Sequence, residues 1–139
     1  MADIEDAIYN RLTTGTTVVG TRVYPTLVVD STTPTPYIVY EKTGGEHTKS
    51  MSGMVGLAEA EFDIMCVTSG TSAYSDAKSI RNSVRLILDG KTGTWGGVTV
   101  RGCFITDELD EPDYAVGKDQ QRRQAVGLRT RWFFQESTT

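Results

Sequence analysis

Three short segments of this 139-residue chain carry residue types that could do chemistry, and each departs from the pattern that its chemistry requires. Gly90-Lys91-Thr92 resembles the end of a phosphate-binding loop. That motif needs a further glycine five residues before the Gly-Lys pair, where this chain has Arg85. The segment also follows a predicted helix, whereas a phosphate-binding loop follows a strand. We therefore exclude a nucleotide site here.

The single histidine, His47, lies in a Gly-rich segment without a serine, cysteine or carboxylate in a recognised nucleophile context. One histidine and two cysteines are too few for a typical zinc site. Cys66 and Cys103 each fall in an apolar strand pattern, which predicts buried free thiols, although a disulfide between neighbouring strands stays open. The sequence thus predicts no catalytic residue, no metal and no cofactor.

The acidic segment Asp107 to Asp119 holds six acids, but its spacing does not match a calcium loop and Pro112 interrupts it. The simplest interpretation is a solvated run of charge. The alternative is a contact between subunits, because arginines follow closely and opposite charges on one small protein allow head-to-tail contacts that close into a ring. The residues of that predicted interface are Asp107, Glu108, Asp110, Glu111, Asp113, Arg122 and Arg123.

Composition limits the classes of function. The net charge of −4 and a pI near 4.9 argue against a general nucleic-acid binder. The N-terminus is acidic, and no apolar run reaches the length of a signal-peptide core or a membrane span, so we expect neither. The length predicts one domain, residues 1–139, with a core of its own.

Hydrophobic periodicity predicts two helices. Asp3 to Thr13 repeats apolar residues every four positions, and Ser72 to Asp89 carries a longer apolar stripe that ends before Gly90. Strand patterns fill much of the remainder. The predicted strands are Arg22 to Tyr24, Tyr37 to Thr43, Leu57 to Thr68, Val98 to Thr106 and Gln124 to Gln135.

Two segments without periodicity are predicted as loops, Gly44 to Gly53 and Asp107 to Asp119. Hairpin-length connections favour an antiparallel or mixed sheet. Each helix needs an apolar partner, so both are expected on one sheet face. The predicted fold class is therefore α+β, an antiparallel (mixed) β-sheet with two α-helices packed on one face.

An acidic stripe follows one face of the strand Leu57 to Thr68, formed by Glu59, Glu61 and Asp63. In one interpretation this stripe is the solvent face of the sheet, paired across strands with Arg129 and Arg131. In the other it lines the lumen of a ring through which DNA passes, where negative charge would repel phosphates.

Four places follow one another along nearly the whole chain. They are an N-terminal helix before Arg22-Val23-Tyr24-Pro25, then Pro36-Tyr37-Ile38-Val39-Tyr40, then Ala58 to Val67 leading into a helix with Tyr74, Ala77, Ile80 and Val84, and Asp113-Tyr114 before the last strand. In this order they resemble the tail-terminator (tail-completion) proteins of long-tailed phages and gene-transfer particles, although the final strand has Leu128 to Trp132 where an Asp-Phe pair is expected.

The resemblance implies a non-enzymatic α+β subunit of a hexameric ring on the head-proximal end of the tail tube. Such a ring stops tube polymerisation and provides the head-joining surface. The implied partners are copies of itself, the tail tube protein and a head-completion (stopper) protein, with DNA passing through without specific binding. The implied location is the tail or neck of the virion, after assembly in the host cytoplasm.

Within that picture we expect the first predicted loop to contact the tube or the stopper, through Gly45, Glu46, His47, Lys49 and Met51. Other functions stay open. A head-completion or neck adaptor protein also forms rings at the neck. A small enzyme would need a pocket with convergent polar groups, and a module that binds host factors is neither supported nor excluded.

Overall fold

Apolar residues that alternate along the strands, and one apolar stripe on each helix, build two layers. The computed structural model describes residues 3–15, 19–25, 35–50, 53–70, 73–116 and 122–135, except for the side chains of 45–50, 53–57, 111–116 and 122. The elements are α1 (Ile4–Gly15), β1 (Val23–Pro25), β2 (Tyr37–Ser50), β3 (Gly53–Ser69), α2 (Ala73–Leu88), β4 (Gly93–Trp95), β5 (Val98–Val116) and β6 (Arg122–Gln135).

The strands form one six-stranded sheet in the order β1-β2-β3-β6-β5-β4. All neighbours are antiparallel except β1 and β2, which run parallel. The four long strands β2, β3, β6 and β5 therefore alternate in direction across the middle of the sheet. This mixed sheet with its two helices confirms the α+β fold that the sequence predicts.

Helix α1 is capped and tied down by polar groups as well as by apolar packing. The Asp3 and Asp6 backbone N–H groups donate to each other's carboxylates at 2.8 and 3.1 Å, a reciprocal cap of the first turn. Near its end, Arg11 donates through Nε to the Ile87 carbonyl at 2.9 Å, and its guanidinium lies 4.7 Å from the Trp95 ring centroid. Arg11 thus joins α1 to α2 and β4.

Both helices pack on the same face of the sheet, as predicted, and their apolar stripes share one core with it. We call this the covered face. Trp132 lies at its centre without solvent exposure, with its ring edge-on to Trp95 at 6.0 Å. Trp132 Nε1 donates to Thr130 Oγ1 at 2.7 Å, and Thr130 donates to the Phe62 carbonyl at 2.9 Å, so the buried polar groups are paired.

Both cysteines lie on the covered face as buried free thiols, which confirms that prediction. Strand β6 separates β3, which carries Cys66, from β5, which carries Cys103. Burial raises the pKa of the Cys66 thiol to about 12 and also raises the pKa of Cys103. Both groups therefore stay protonated in the folded protein at neutral pH.

The two segments predicted as loops are largely strand, so those predictions are wrong. Strand β2 continues to Ser50 and β3 begins at Gly53, which makes one long hairpin. Strand β5 continues to Val116 and pairs with β6 along the acidic segment. Neither extension shows a strand pattern in the sequence, because each contains register irregularities. A bulge interrupts the alternation of period two by which a strand is recognised.

Candidate functional site

The sheet face opposite the helices carries acid–arginine pairs and two aromatic rings over one part, and a second small apolar cluster that includes Tyr37, Val67 and Ala125 over another. We call the charged part the open face, and strand alternation turns its side chains away from the helices. The pairing of β3 with β6 sets Glu61 opposite Arg131 and Asp63 opposite Arg129. The residues that define the open face are Glu59, Glu61, Asp63, Phe104, Asp107, Arg129, Arg131 and Phe133.

The arginines on this face are engaged by the acidic stripe. Arg129 donates through Nε and Nη2 to the two carboxylate oxygens of Asp63 at 2.9 and 3.3 Å. Arg131 Nε lies 2.9 Å from Glu59 Oε1, and Glu61 lies within 4.0 Å of both guanidinium groups. The prediction that the stripe pairs across strands is confirmed. Its position in a lumen stays a prediction.

The open face is net acidic even after pairing. Asp107 adds a fourth carboxylate, because β5 sets it opposite Arg129. The hydrogen bond from Arg129 to Asp63, with the charge of that carboxylate, raises the pKa of the Arg129 guanidinium. Four carboxylates thus surround two permanently charged guanidinium groups, which leaves neither arginine available for a phosphate without breaking an ion pair.

An aromatic pair occupies the β5 side of the open face. Phe104 and Phe133 meet edge-on with ring centroids 6.0 Å apart, and Phe104 is 47% exposed. Register irregularities after Val100 and after Ile105 bracket this stretch of β5 and set which residues face outward. A Cβ on Gly102 would lie 2.8 Å from the Phe104 ring, so the glycine leaves room for that ring.

Two of the acids predicted for a subunit interface make contacts inside the subunit. Glu108 faces the helices, with its carboxylate 3.9 Å from Arg81 Nη1 and 3.7 Å from Arg85 Nη1. The Tyr74 hydroxyl donates to Asp110 Oδ2 at 2.5 Å, which raises the pKa of that tyrosine. Polar side chains of α2 therefore hold the acidic half of β5.

The other predicted interface residues divide between buried, exposed and undescribed positions. Arg123 is only 4% exposed, and its guanidinium lies 5.8 Å from the Tyr37 ring centroid beside a second small apolar cluster. Asp107 is exposed on the open face. The side chains of Glu111, Asp113 and Arg122 lie outside the described residues. Charge reversal at Arg123 would act on folding of the subunit itself, so it is a poor probe of contacts between subunits.

The predicted tube or stopper contacts lie on the far part of the β2–β3 hairpin. Gly45, Glu46, His47 and Lys49 hold positions on β2 that pair with β3, and Met51 lies outside the described residues. The last pair between β3 and β6 is Leu57 with Gln135. Since β3 begins at Gly53, the hairpin projects past the end of β6.

A cleft of about 350 Å³ lies between α2 and the neighbouring ends of β2 and β3. The Thr35 and Ser69 hydroxyls lie 2.6 Å apart within it, and the Thr68 hydroxyl donates to the Ala73 carbonyl. Among the described residues that line it, Asp76 is the one carboxylate, and there is no histidine or cysteine to form a nucleophile–base pair.

Among the described residues, no three histidine, cysteine or acidic side chains come together in a way that could hold a metal ion. Neither described helix has the length and apolar character needed to cross a membrane.

The chain is similar to known proteins in sequence and in fold. The family model "Tail completion protein gp17" matches residues 6–131. A solved chain from the virion of a native gene transfer agent (GTA) particle is 20% identical, with a TM-score of 0.62 over 92% of this chain and 91% of that one. A second solved structure is 12% identical, with a TM-score of 0.60 over 98% and 96%. No curated protein matches the chain.

Proposed function

The chain belongs to the tail completion protein gp17 family of phage tail structural proteins, and we propose that it forms a ring capping the head-proximal end of the tail tube. In this role the ring ends tube polymerisation and provides the surface that joins the tail to the head. The observation that carries the proposal is the contrast between a helix-covered sheet face and an open, net acidic one.

Two unlike faces suit a subunit of a closed ring. A ring needs an outer surface and a surface toward its passage, and a heterologous contact repeated around an axis produces both. The two helices widen the subunit on its covered face. Copies placed side by side therefore fit best with the covered face outward and the open face inward. We propose six copies, as the family resemblance implies.

The charge of the open face suits a passage for DNA. Glu59, Glu61 and Asp63 would line the lumen together with the arginines that they engage. Binding to DNA depends on free Lys and Arg that displace counterions from phosphates. Here the guanidinium groups are held by carboxylates, so the surface would repel phosphates and let DNA pass without specific binding.

The ends of the sheet supply contacts along the ring axis. The β2–β3 hairpin projects past β6 at one end, and β5 ends and β6 begins at the other. We propose that the hairpin, with Glu46, His47 and Lys49, contacts the tail tube protein or a head-completion (stopper) protein. The assembled ring would then reside in the virion at the tail or neck, having formed in the host cytoplasm.

Electron microscopy of lysates from a particle-producing strain without this gene tests the proposal. We expect filled heads without tails beside free tubes of uncontrolled length, and both defects should disappear when the gene is restored. Tails of normal length beside unjoined heads would instead indicate a neck adaptor ring. Intact particles would overturn a structural role and favour a small enzyme or a host-factor-binding module.

A further inference from the structure

Each side of the sheet ends in a long strand that a short strand covers only in part. On one side, β1 pairs with β2 over three positions from Ile38 to Tyr40. On the other, β4 pairs with β5 over three positions from Val98 to Val100. No other described strand pairs with the outer side of either long strand. Unpaired strand edges favour pairing with another chain.

The outer side of β5 is closed at its centre and open beyond. The Cys103 carbonyl accepts from Gly90 N at 2.7 Å, and the Asp89 carboxylate accepts from Ile105 N at 3.2 Å, so the turn after α2 closes this stretch. Within the described ranges, the Glu108 N–H donates to the adjacent Asp107 carboxylate alone, at 2.9 Å. An incoming strand can replace such a side-chain acceptor. Counting the described residues alone, the free edge of β5 is therefore residues 106–116, and that of β2 is residues 41–50.

Strand direction makes these two edges compatible. Because β2, β3, β6 and β5 alternate in direction, the outermost long strands run opposite ways. All copies in a ring have the same orientation relative to its axis. The β5 strand of one copy therefore lies antiparallel to the β2 strand of the next, which is the geometry of an antiparallel ladder.

The positions of the two free edges also fit a closed ring. Glu41 pairs with Asp63, Asp63 pairs with Arg129, and Arg129 pairs with Asp107, so both free edges begin at one level of the sheet. From that level they extend toward opposite ends. Closing a sheet into a barrel tilts its strands by roughly 35–45° and staggers their register. Such a stagger brings the first residues of the two offset edges side by side.

The charges of the two edges favour unlike pairing over like pairing. Residues 106–116 contain five acids and no basic residue, whereas residues 41–50 contain Lys42, His47 and Lys49 beside two acids. Like charges directly opposite each other destabilise a strand pair. Two β5 edges would therefore repel each other, and the mixed pairing of β5 with β2 is preferred.

We propose that neighbouring copies join by antiparallel pairing of residues 106–116 on β5 with residues 41–50 on β2 of the next copy. This inference rests on the ring proposed above and supplies its contact. The Asp107 carboxylate that holds the Glu108 N–H in the single subunit gives way to a backbone carbonyl of the neighbour. Acids at the edge keep free subunits from pairing through two β5 strands.

Cysteine cross-linking of the cap assembled on purified tail tubes tests the pairing. Thr43→Cys on β2 is combined in turn with Asp107→Cys, Leu109→Cys or Glu111→Cys on β5, which scans the stagger with a short bis-maleimide. We expect one combination to give a ladder of covalent oligomers on a denaturing gel, ending at the copy number of the ring. The single variants and the wild-type chain should stay uncross-linked, because Cys66 and Cys103 are buried.

The alternative outcomes separate the two proposals. Rings seen by microscopy, with no ladder from any combination, would overturn the strand pairing and leave the ring role intact. Covalent dimers from Asp107→Cys alone would also overturn it, in favour of a two-fold contact. Wild-type protein that forms no ring on tubes would overturn the ring role and the pairing together.

Amide hydrogen exchange on the wild-type protein provides a readout that does not depend on folding of the variants. Exchange in residues 41–50 and 106–116 should slow by about tenfold or more in the tube-bound cap relative to the free subunit. The covered stretch of β2 at Ile38–Tyr40 serves as an internal reference, since β1 pairs with it in both states. Unchanged exchange in either edge contradicts the proposal.

Discussion

The covered and open faces belong to the same strands but depend on different forces. On the covered face Trp132 has no exposed surface, and apolar burial of this kind stabilises by about 25 cal/mol per Å². On the open face the neighbouring Arg131 side chain is 46% exposed. It forms an ion pair with Glu59, and exposed ion pairs contribute little to the free energy of unfolding in water. Stability should therefore reside mainly on one face, which leaves the other free to serve contacts and passage.

Truncation of adjacent residues on opposite faces should give the largest difference. Trp132→Ala removes a fully buried ring and the donor to Thr130, so we expect a loss of about 3–5 kcal/mol in the free energy of unfolding. Phe133→Ala removes a half-buried ring and its pair with Phe104, with a smaller expected loss of about 1–2 kcal/mol. Urea unfolding followed by fluorescence measures both. Equal losses would mean that the open face is also a core.

Gly127 is a buried glycine on the sheet face opposite the helices, and it is an exception to the comparison between the covered and open faces. A Cβ on Gly127 would collide with the Ile64 carbonyl oxygen and the Met65 side chain, so Gly127→Ala should destabilise by about 1–3 kcal/mol. Gly44→Ala is the matched control, since its Cβ would meet only the Glu61 Cβ at 3.9 Å. We expect the control to be neutral or slightly stabilising, by about 0.5 kcal/mol. Similar unfolding midpoints for the two variants would contradict this account.

The covered face was predictable from sequence because burial leaves a regular signal. Ile4, Ile8 and Leu12 on α1, and the alternation from Ala58 to Cys66 on β3, gave both the elements and the faces that they bury. Period-two and period-3.6 patterns survive wherever one side is packed and the other is wet. The same alternation on β3 and β6 also predicted the ion pairs of the open face.

The acidic half of β5 was not predictable in the same way. A register irregularity after Ile105 changes the phase, so Asp107 faces the open side whereas Glu108 and Asp110 face α2. A run of acids gives no apolar alternation to reveal either the strand or its bulge. The short strand β4 was not predicted for a related reason, because three residues are too few to show a periodic pattern. Contacts with other chains leave no signal in the periodicity of one chain.

The two buried thiols of the covered face make the free energy of unfolding depend on pH in the alkaline range. The Cys66 pKa rises from 9.0 when unfolded to about 12 when folded, because burial disfavours the thiolate. Its contribution is complete below pH 9 and is lost as pH rises toward 12, because the unfolded thiol releases its proton first. We expect a slope of about 1.4 kcal/mol per pH unit from this group, with Cys103 acting in the same direction.

Cys66→Ala is the control for this slope, measured by urea unfolding between pH 8 and about 11. The variant has a lower free energy of unfolding at pH 8, but this free energy should fall less steeply as pH rises. The reason is that its unfolded state lacks one thiol that can ionise. Arg129 on the open face keeps its charge over this range, since its hydrogen bond to Asp63 raises its pKa. Identical slopes for variant and wild type would show that Cys66 is accessible to ionisation in the folded state.

The smallest effect should come from an ion pair of the open face. A double-mutant cycle with Glu59→Gln and Arg131→Gln isolates the pair whose atoms lie 2.9 Å apart, and we expect a coupling of about 0.2–1 kcal/mol. Repeating the cycle in high salt should reduce the coupling further, because these side chains are partly exposed. A salt-insensitive coupling of about 2 kcal/mol or more would place the pair among the determinants of the fold. A small coupling would mean that folding of the subunit does not depend on these charges. Contacts in the assembled particle can then determine which charges the open face carries.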